Sequence, residues 1–208
     1  MSDPVTLIAY VLIVLGFVFI PGPATVLTAA RASSSGTRVG IATGAGIAAG
    51  DVIHTAMAIV GISAIVAASA TLFTIIKYLG AAYLVYLGIQ AILAKTPVDP
   101  AFRALPMTAG KAFRQAILAE VLNPKTALFF LAFLPQFVRP ENGWVALQLA
   151  VLGIIFVLLG LLSTVVFAIS AGSLGSFLRR NPTILKWQGK VVGGIYCALG
   201  FRLALQER

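Results

Sequence analysis

Apolar residues come in long runs along this chain, separated by short polar interruptions. Windows of about 20 residues, matched to a hydrocarbon core of about 30 Å, pick out six candidate membrane spans. They run over approximately 5–30, 39–67, 71–94, 112–138, 144–172 and 187–205. Between them lie "RASSSGTR", a short turn near Ala68–Thr71, "AKTPVDPAFRALPMTAGK", "RPENG" and "LRRNPTILK", the last three marked as breaks by proline and asparagine. The first run is read as a span and not as a signal peptide. Its start, "MSDP", lacks a positive n-region, and Val5 to Ala30 is long for an h-region.

Positive charge falls unevenly between the two sides. The first, third and fifth connections with their flanks hold Arg31, Arg38, Lys95, Arg103, Lys111, Arg114, Arg179, Arg180, Lys186 and Lys190. The other side holds Arg139, Arg202 and Arg208. By the positive-inside rule both termini are expected outside the cytoplasm. The spans also echo one another. "GAAYLVYLGIQAIL" (80–93) resembles "GGIYCALGFRLAL" (193–205) with one gap, and the proline break at 21–23 has a counterpart in "NPK" at 123–125. Copies of three spans lie in opposite orientations, because three is odd. The expectation is one all-α transporter domain over 1–208, made of inverted three-helix repeats at about 5–94 and 112–205.

Composition supports the membrane class. Of 208 residues 60% are hydrophobic and 10% charged, with mean hydropathy +1.01, too few polar residues to coat a soluble domain of this size. The net charge of +9 and pI near 10.2 do not point to nucleic acid, since the basic residues sit between apolar runs. Cys197 is the single cysteine, so there is no intrachain disulfide and no zinc spacing. One histidine, no nucleophile–base pair, no metal-ligand cluster and no phosphate loop argue against an enzyme, a bound metal or a cofactor.

The candidate chemistry lies where the helical pattern is broken. A proline cannot donate to the carbonyl four residues back, so Pro21 and Pro23 free the carbonyls of Phe17 and Phe19, and Pro124 frees that of Glu120. Such backbone belongs where protein or a water-filled cavity satisfies it, and Gly22 leaves room for a ligand to approach. Breaks in corresponding spans point to a binding site at the repeat interface. Asp51 lies about twelve residues past the Arg38–Val39 boundary, or ~18 Å, near mid-membrane. His54 follows at i+3. On a helical wheel Gly40, Thr43, Gly46, Gly50, Asp51, His54, Met57 and Gly61 gather on one half, and the aliphatic residues on the other face lipid. The glycine faces also permit a homo-oligomer. A carboxylate held in an apolar setting can alternate between protonated and charged states, which suits proton coupling or a counter-ion for a substrate ammonium. The fourth span adds Glu120, Asn123 and Lys125. Lys125 is too deep to snorkel and is expected to pair with Glu120, Asp51 or a substrate carboxylate, whereas Lys77, Lys190 and Arg202 snorkel. The fifth span, uncharged between Trp144 and Leu178, reads as scaffold.

These residues resemble the LysE/RhtB amino-acid exporter family. The match includes "PGP" at 21–23, "RASSSGTRVGIATGAGIAAGD" leading into the second span, "LGAAYLVYLGIQAI" in the third and "NPKTALFFLAFLPQFV" in the fourth. It covers most of the chain and departs at "FRQA" (113–116), where the family often has glycine in place of Ala116. The resemblance implies a bacterial inner-membrane exporter of amino acids or close derivatives, driven by the proton motive force. Pro21, Gly22, Pro23, Asp51, Asn123, Pro124 and Lys125 match its pattern, while Glu120 and His54 rest on the residue-level reading alone. The expected partners are an amino-acid substrate, protons and the lipid bilayer. Two other readings stay open: an inorganic cation exporter, against which Lys125 argues, and a structural membrane subunit without transport.

Overall fold

The computed structural model describes residues 4–20, 22–68, 70–93 and 107–180, with 190, 194, 197–198, 200–201 and 204–205 beyond them. Among these residues every regular element is helical. Helix α1 spans Pro4–Phe19, α2 Pro23–Ser35, α3 Thr37–Ala68, α4 Ala70–Leu93, α5 Ala109–Val121, α6 Pro124–Leu128 and α7 Val145–Arg180. Within α3 and α7, Thr37–Gly61 and Val145–Ala171 are each long and apolar enough to cross a membrane. The pairs α1–α2 and α5–α6 pass the same test as bent units, with bends of 48° and 46°. Up to four spans are therefore accounted for by length and composition. Most of the sixth expected span, 187–205, lies outside the described residues, as do Pro21, Arg202 and the side chain of Lys77.

Each bend has a local cause. Pro23 opens α2 at its first turn, where a missing N–H costs nothing. The Thr25 hydroxyl accepts from Gly22 N at 2.8 Å and donates to Gly22 O at 3.0 Å, closing that turn on itself. At the second break Pro124 opens α6, and the Asn123 side chain caps it by accepting from Lys125 N at 3.0 Å. After Leu128 the helix widens into a π turn over Phe129–Phe133 and tightens into a 3-10 turn over Leu134–Phe137. Pro135 cannot donate to Leu131, which accounts for the helix losing its regular ladder there. Between α2 and α3 the chain reverses at Gly36, whose φ of 92° favours glycine.

Helix α3 sits in the middle and packs chiefly on α5 and α7. Its small residues make this possible. A methyl at Gly50 would stand 2.6 Å from Glu120 Cβ, and one at Gly46 would strike the Phe113 carbonyl and lie 2.8 Å from Ala116 Cβ. Ala116, where the family pattern often has glycine, is thus accommodated by a glycine on the facing helix. Gly44 meets Thr164 of α7 in the same way. These glycines are taken up by packing inside the chain. The helical-wheel reading holds for most of the residues it assigned in α3 and fails at Met57, expected inward but 49% exposed, and at Ala48, expected to face lipid but buried; Thr55 and Ala58 are buried as well. Thr55 is called inward by Gly153 of α7, against which it packs.

An aromatic cluster fills the space beside the first break. Phe17 packs on Phe129 with ring centroids 4.6 Å apart, and Phe129 on Phe156 at 4.8 Å. Tyr10, fully buried, donates from its hydroxyl to the Leu152 carbonyl at 2.8 Å, tying α1 to α7. Rings of this size exclude water and stiffen the walls around the polar residues next to them.

Candidate functional site

The two breaks face one another, and each is bridged by a side chain from the opposite half of the chain. The Phe17 carbonyl, freed by Pro21, accepts from Lys125 Nζ at 3.3 Å. The same ammonium lies 4.2 Å from the centre of the Phe17 ring, a cation–π contact. The Glu120 carbonyl, freed by Pro124, accepts from His54 Nε2 at 2.9 Å, which places the ring proton on that nitrogen. His54 also stacks on Phe130 at 5.7 Å. The Val18 carbonyl, whose usual partner Gly22 N is turned to Thr25, is taken by Ser163 Oγ of α7 at 2.7 Å. Carbonyls at both breaks are thus bonded across the molecule, that of Glu120 in addition to accepting from Asn123 N at 2.9 Å.

Between these ties lies a cavity of about 40 Å³, bounded by both breaks together with α3 and α7. Asp51, Glu120, Asn123 and Lys125 all line it, as do Gly22 and Pro23. His54 is not on its wall. It stands behind Glu120, buried, as the strut between α3 and α5. Pro124 opens the helix that carries Asn123 and Lys125 into place.

The two carboxylates have different surroundings. Glu120, 3% exposed, accepts from Asn123 Nδ2 on both oxygens, at 3.1 and 3.2 Å, and from the Thr126 hydroxyl. Asp51, 2% exposed, lies within hydrogen-bonding reach of the Glu120 carboxyl, yet its Oδ1 has no hydrogen-bond partner among the described residues. A buried carboxylate oxygen without a donor is costly, which sets Asp51 apart from the donor-bonded Glu120. Lys125 acts on both carboxylates electrostatically but is also drawn to Phe17, where the sequence pointed to a carboxylate partner.

Gly22 works differently from expectation as well. Its backbone, with φ of −136° and ψ of −170°, is ordinary extended chain. What glycine supplies is space, and Lys125 fills it: a methyl at Gly22 would lie 3.0 Å from Nζ.

Several wall residues carried no signal that was read from the sequence. Phe156, Gly160 and Thr164 come from α7, the helix taken as scaffold because it has no charge. Gly160 stands where a side chain would press on Asp51, its missing methyl falling 3.3 Å from Oδ2. A glycine and a threonine four residues apart opposite a buried carboxylate leave a trace too common in apolar helices to single out. Thr25 and Thr126 sit three and two residues past Gly22 and Pro124, a cap-like spacing that could have been noticed. Arg31 is a further departure. Counted among cytoplasmic charges, it is buried, donating to the Ala112 carbonyl at 2.8 Å and to Gln115 Oε1 at 2.9 Å, and so clamps α2 to α5. Among the described residues no cluster of His, Cys, Asp and Glu has the makings of a metal site.

The chain is similar over nearly its whole length to membrane proteins of several bacteria. It is 34% identical over 198 residues to an uncharacterized membrane protein of Vibrio cholerae, covering 95% of each chain. With the uncharacterized membrane protein YrhP of Bacillus subtilis it shares 34% identity over 209 residues, 96% of this chain and 99% of the other. With the homoserine/homoserine lactone efflux protein of Salmonella typhimurium it shares 30% identity over 184 residues, 88% of each. No solved structure matches the chain. The family of LysE type translocators matches residues 15–207, and this chain, a multi-pass membrane protein, belongs to that family.

Proposed function

We propose that this protein exports amino acids or close derivatives across the bacterial inner membrane, driven by the proton gradient, and that the cavity between the two breaks is where cargo and proton are handled. The observation that carries the reading is the meeting of Asp51, Glu120, Asn123 and Lys125 at one cavity, from segments up to 74 residues apart in sequence. Family membership supports export of amino acids, and the named efflux relative makes homoserine and its lactone the first compounds to try.

The molecule is read as six spans in two inverted three-helix repeats forming one domain, with the cavity near mid-membrane and both termini outside the cytoplasm. Three features support the repeat. The bends of the two broken pairs are nearly equal, at 48° and 46°. Each break is tied to a side chain of the other half. The echoing segments also pack together: the Cys197 thiol lies 3.8 Å from the Val85 carbonyl, and a methyl at Gly200 would stand 2.8 Å from the Ala81 carbonyl. Elements related by a pseudo-two-fold axis meet in this way. A cavity of about 40 Å³ holds on the order of a few waters, so cargo enters only when the halves separate. Lys125 and the half-helix ends are then released toward it.

The test is uptake of labelled amino acids, homoserine and homoserine lactone included, into inverted membrane vesicles carrying the chain. Uptake that follows an imposed proton gradient and collapses with a protonophore is expected. Vesicles that accumulate nothing above those lacking the chain would remove the reading.

A further inference from the structure

The polar atoms around the cavity are unevenly committed. Its side-chain donors are occupied: Asn123 Nδ2 and Thr126 Oγ1 point at Glu120, Thr25 Oγ1 donates to Gly22 O, and Thr164 Oγ1 donates to the carbonyls of Gly160 and Leu161. Lys125 is engaged with the Phe17 carbonyl and ring. Among the described residues the polar side-chain atom left without a partner there is an acceptor, Asp51 Oδ1, and it belongs to a residue that is 2% exposed and lines the cavity. Charge points the same way. The ionisable groups facing the cavity are Asp51 and Glu120 on one side of the balance and Lys125 on the other, with His54 turned away to the Glu120 carbonyl. When all three are ionised one negative charge is uncompensated, and a single monovalent positive charge neutralises it.

We propose that Asp51 Oδ1, backed by Glu120, is the seat of the cargo's ammonium group, and that the site takes primary ammonium compounds whether or not they carry a carboxylate. This rests on the exporter reading above and narrows its substrate class. The donor-bonded Glu120 stays fixed as the anion behind the seat, and Asp51 alternates between a proton and the ammonium. Competition between the two for one place is sufficient to couple export to the proton gradient.

The test uses threonine, leucine and lysine, each as free acid, α-amide and N-acetyl derivative, offered to inverted vesicles in sodium and in choline buffer. For each amino acid that moves, the amide is expected to be taken up or to compete comparably with the free acid. N-acetylation, which removes the charge and leaves Oδ1 without a strong donor, is expected to weaken competition roughly 10–100-fold. An N-acetyl form that competes as well as the free acid overturns the assignment. So does an amide that fails, since the carboxylate is then required, held by the first-turn N–H groups of α2 or by Lys125. A sodium requirement joined to indifference to acetylation gives the cavity to an inorganic cation instead. If no compound moves, the exporter reading falls and this one with it, whereas a reversed pattern among transported compounds leaves export standing and removes the ammonium seat alone.

Discussion

Lys125 reaches across the molecule because Gly22 has no side chain to stop it, and the pair shows how one missing methyl shapes a site. With Nζ 3.0 Å from the position a methyl would take, Gly22→Ala must push the ammonium off its line to the Phe17 carbonyl. The end of a lysine side chain moves easily, so the variant should fold and insert at wild-type levels. Its efflux should fall several-fold, and measurement of both quantities in the same membranes checks the prediction. Unchanged efflux would mean that the Lys125–Phe17 tie has no part in transport. The sequence made the chemistry of this corner legible in part. Proline at 21 frees the carbonyl of residue 17, and that follows from backbone geometry alone. Which donor would arrive there does not follow, because it depends on how two segments a hundred residues apart approach each other.

At the scale of elements, α3 is held between α5 and α7 by small residues facing bulk. Gly50 is the tightest of these contacts next to the site, its absent methyl falling 2.6 Å from Glu120 Cβ and 3.0 Å from Cγ. Gly50→Leu should therefore force α3 off α5, displace Glu120 from Asn123 and Thr126, and lower stability by about 1–3 kcal/mol. A lowered unfolding midpoint of the protein in detergent checks this, and an unchanged midpoint would contradict the packing described. The breaks and the glycine-rich face of α3 were readable, since proline, glycine and a buried carboxylate stand out in an apolar run. The role of α7 was not. Phe156, Gly160 and Thr164 look like any membrane helix until α3 is laid beside them, and only that contact turns Gly160 into the space for Asp51. Met57 was misjudged for a related reason, as a wheel assigns one inward face while α3 is packed from two sides.

For the whole molecule, charge asymmetry and internal echo support the proposed arrangement of six spans with both ends outside the cytoplasm. A reporter fused after Arg208 should read non-cytoplasmic, and one placed in the connection at 95–106 should read cytoplasmic; the reverse pattern would invert the topology. Arg31 belongs to this balance with a qualification, because it is spent on clamping α2 to α5 and so orients the chain less than an exposed arginine would. The central claim is that cargo and proton meet at the cavity between the breaks, with Asp51 at its heart. The most direct test is proton-gradient-driven uptake of labelled amino acid into inverted vesicles by Asp51→Asn beside the wild type at equal membrane content. Asparagine keeps the shape and removes the titrating charge, and loss of a charged partner worth about 1.5–3 kcal/mol is a factor of roughly 10–100 in affinity. Uptake by the variant should fall at least that far and lose its response to the imposed gradient, whereas uptake at the wild-type rate with the same response would contradict the account.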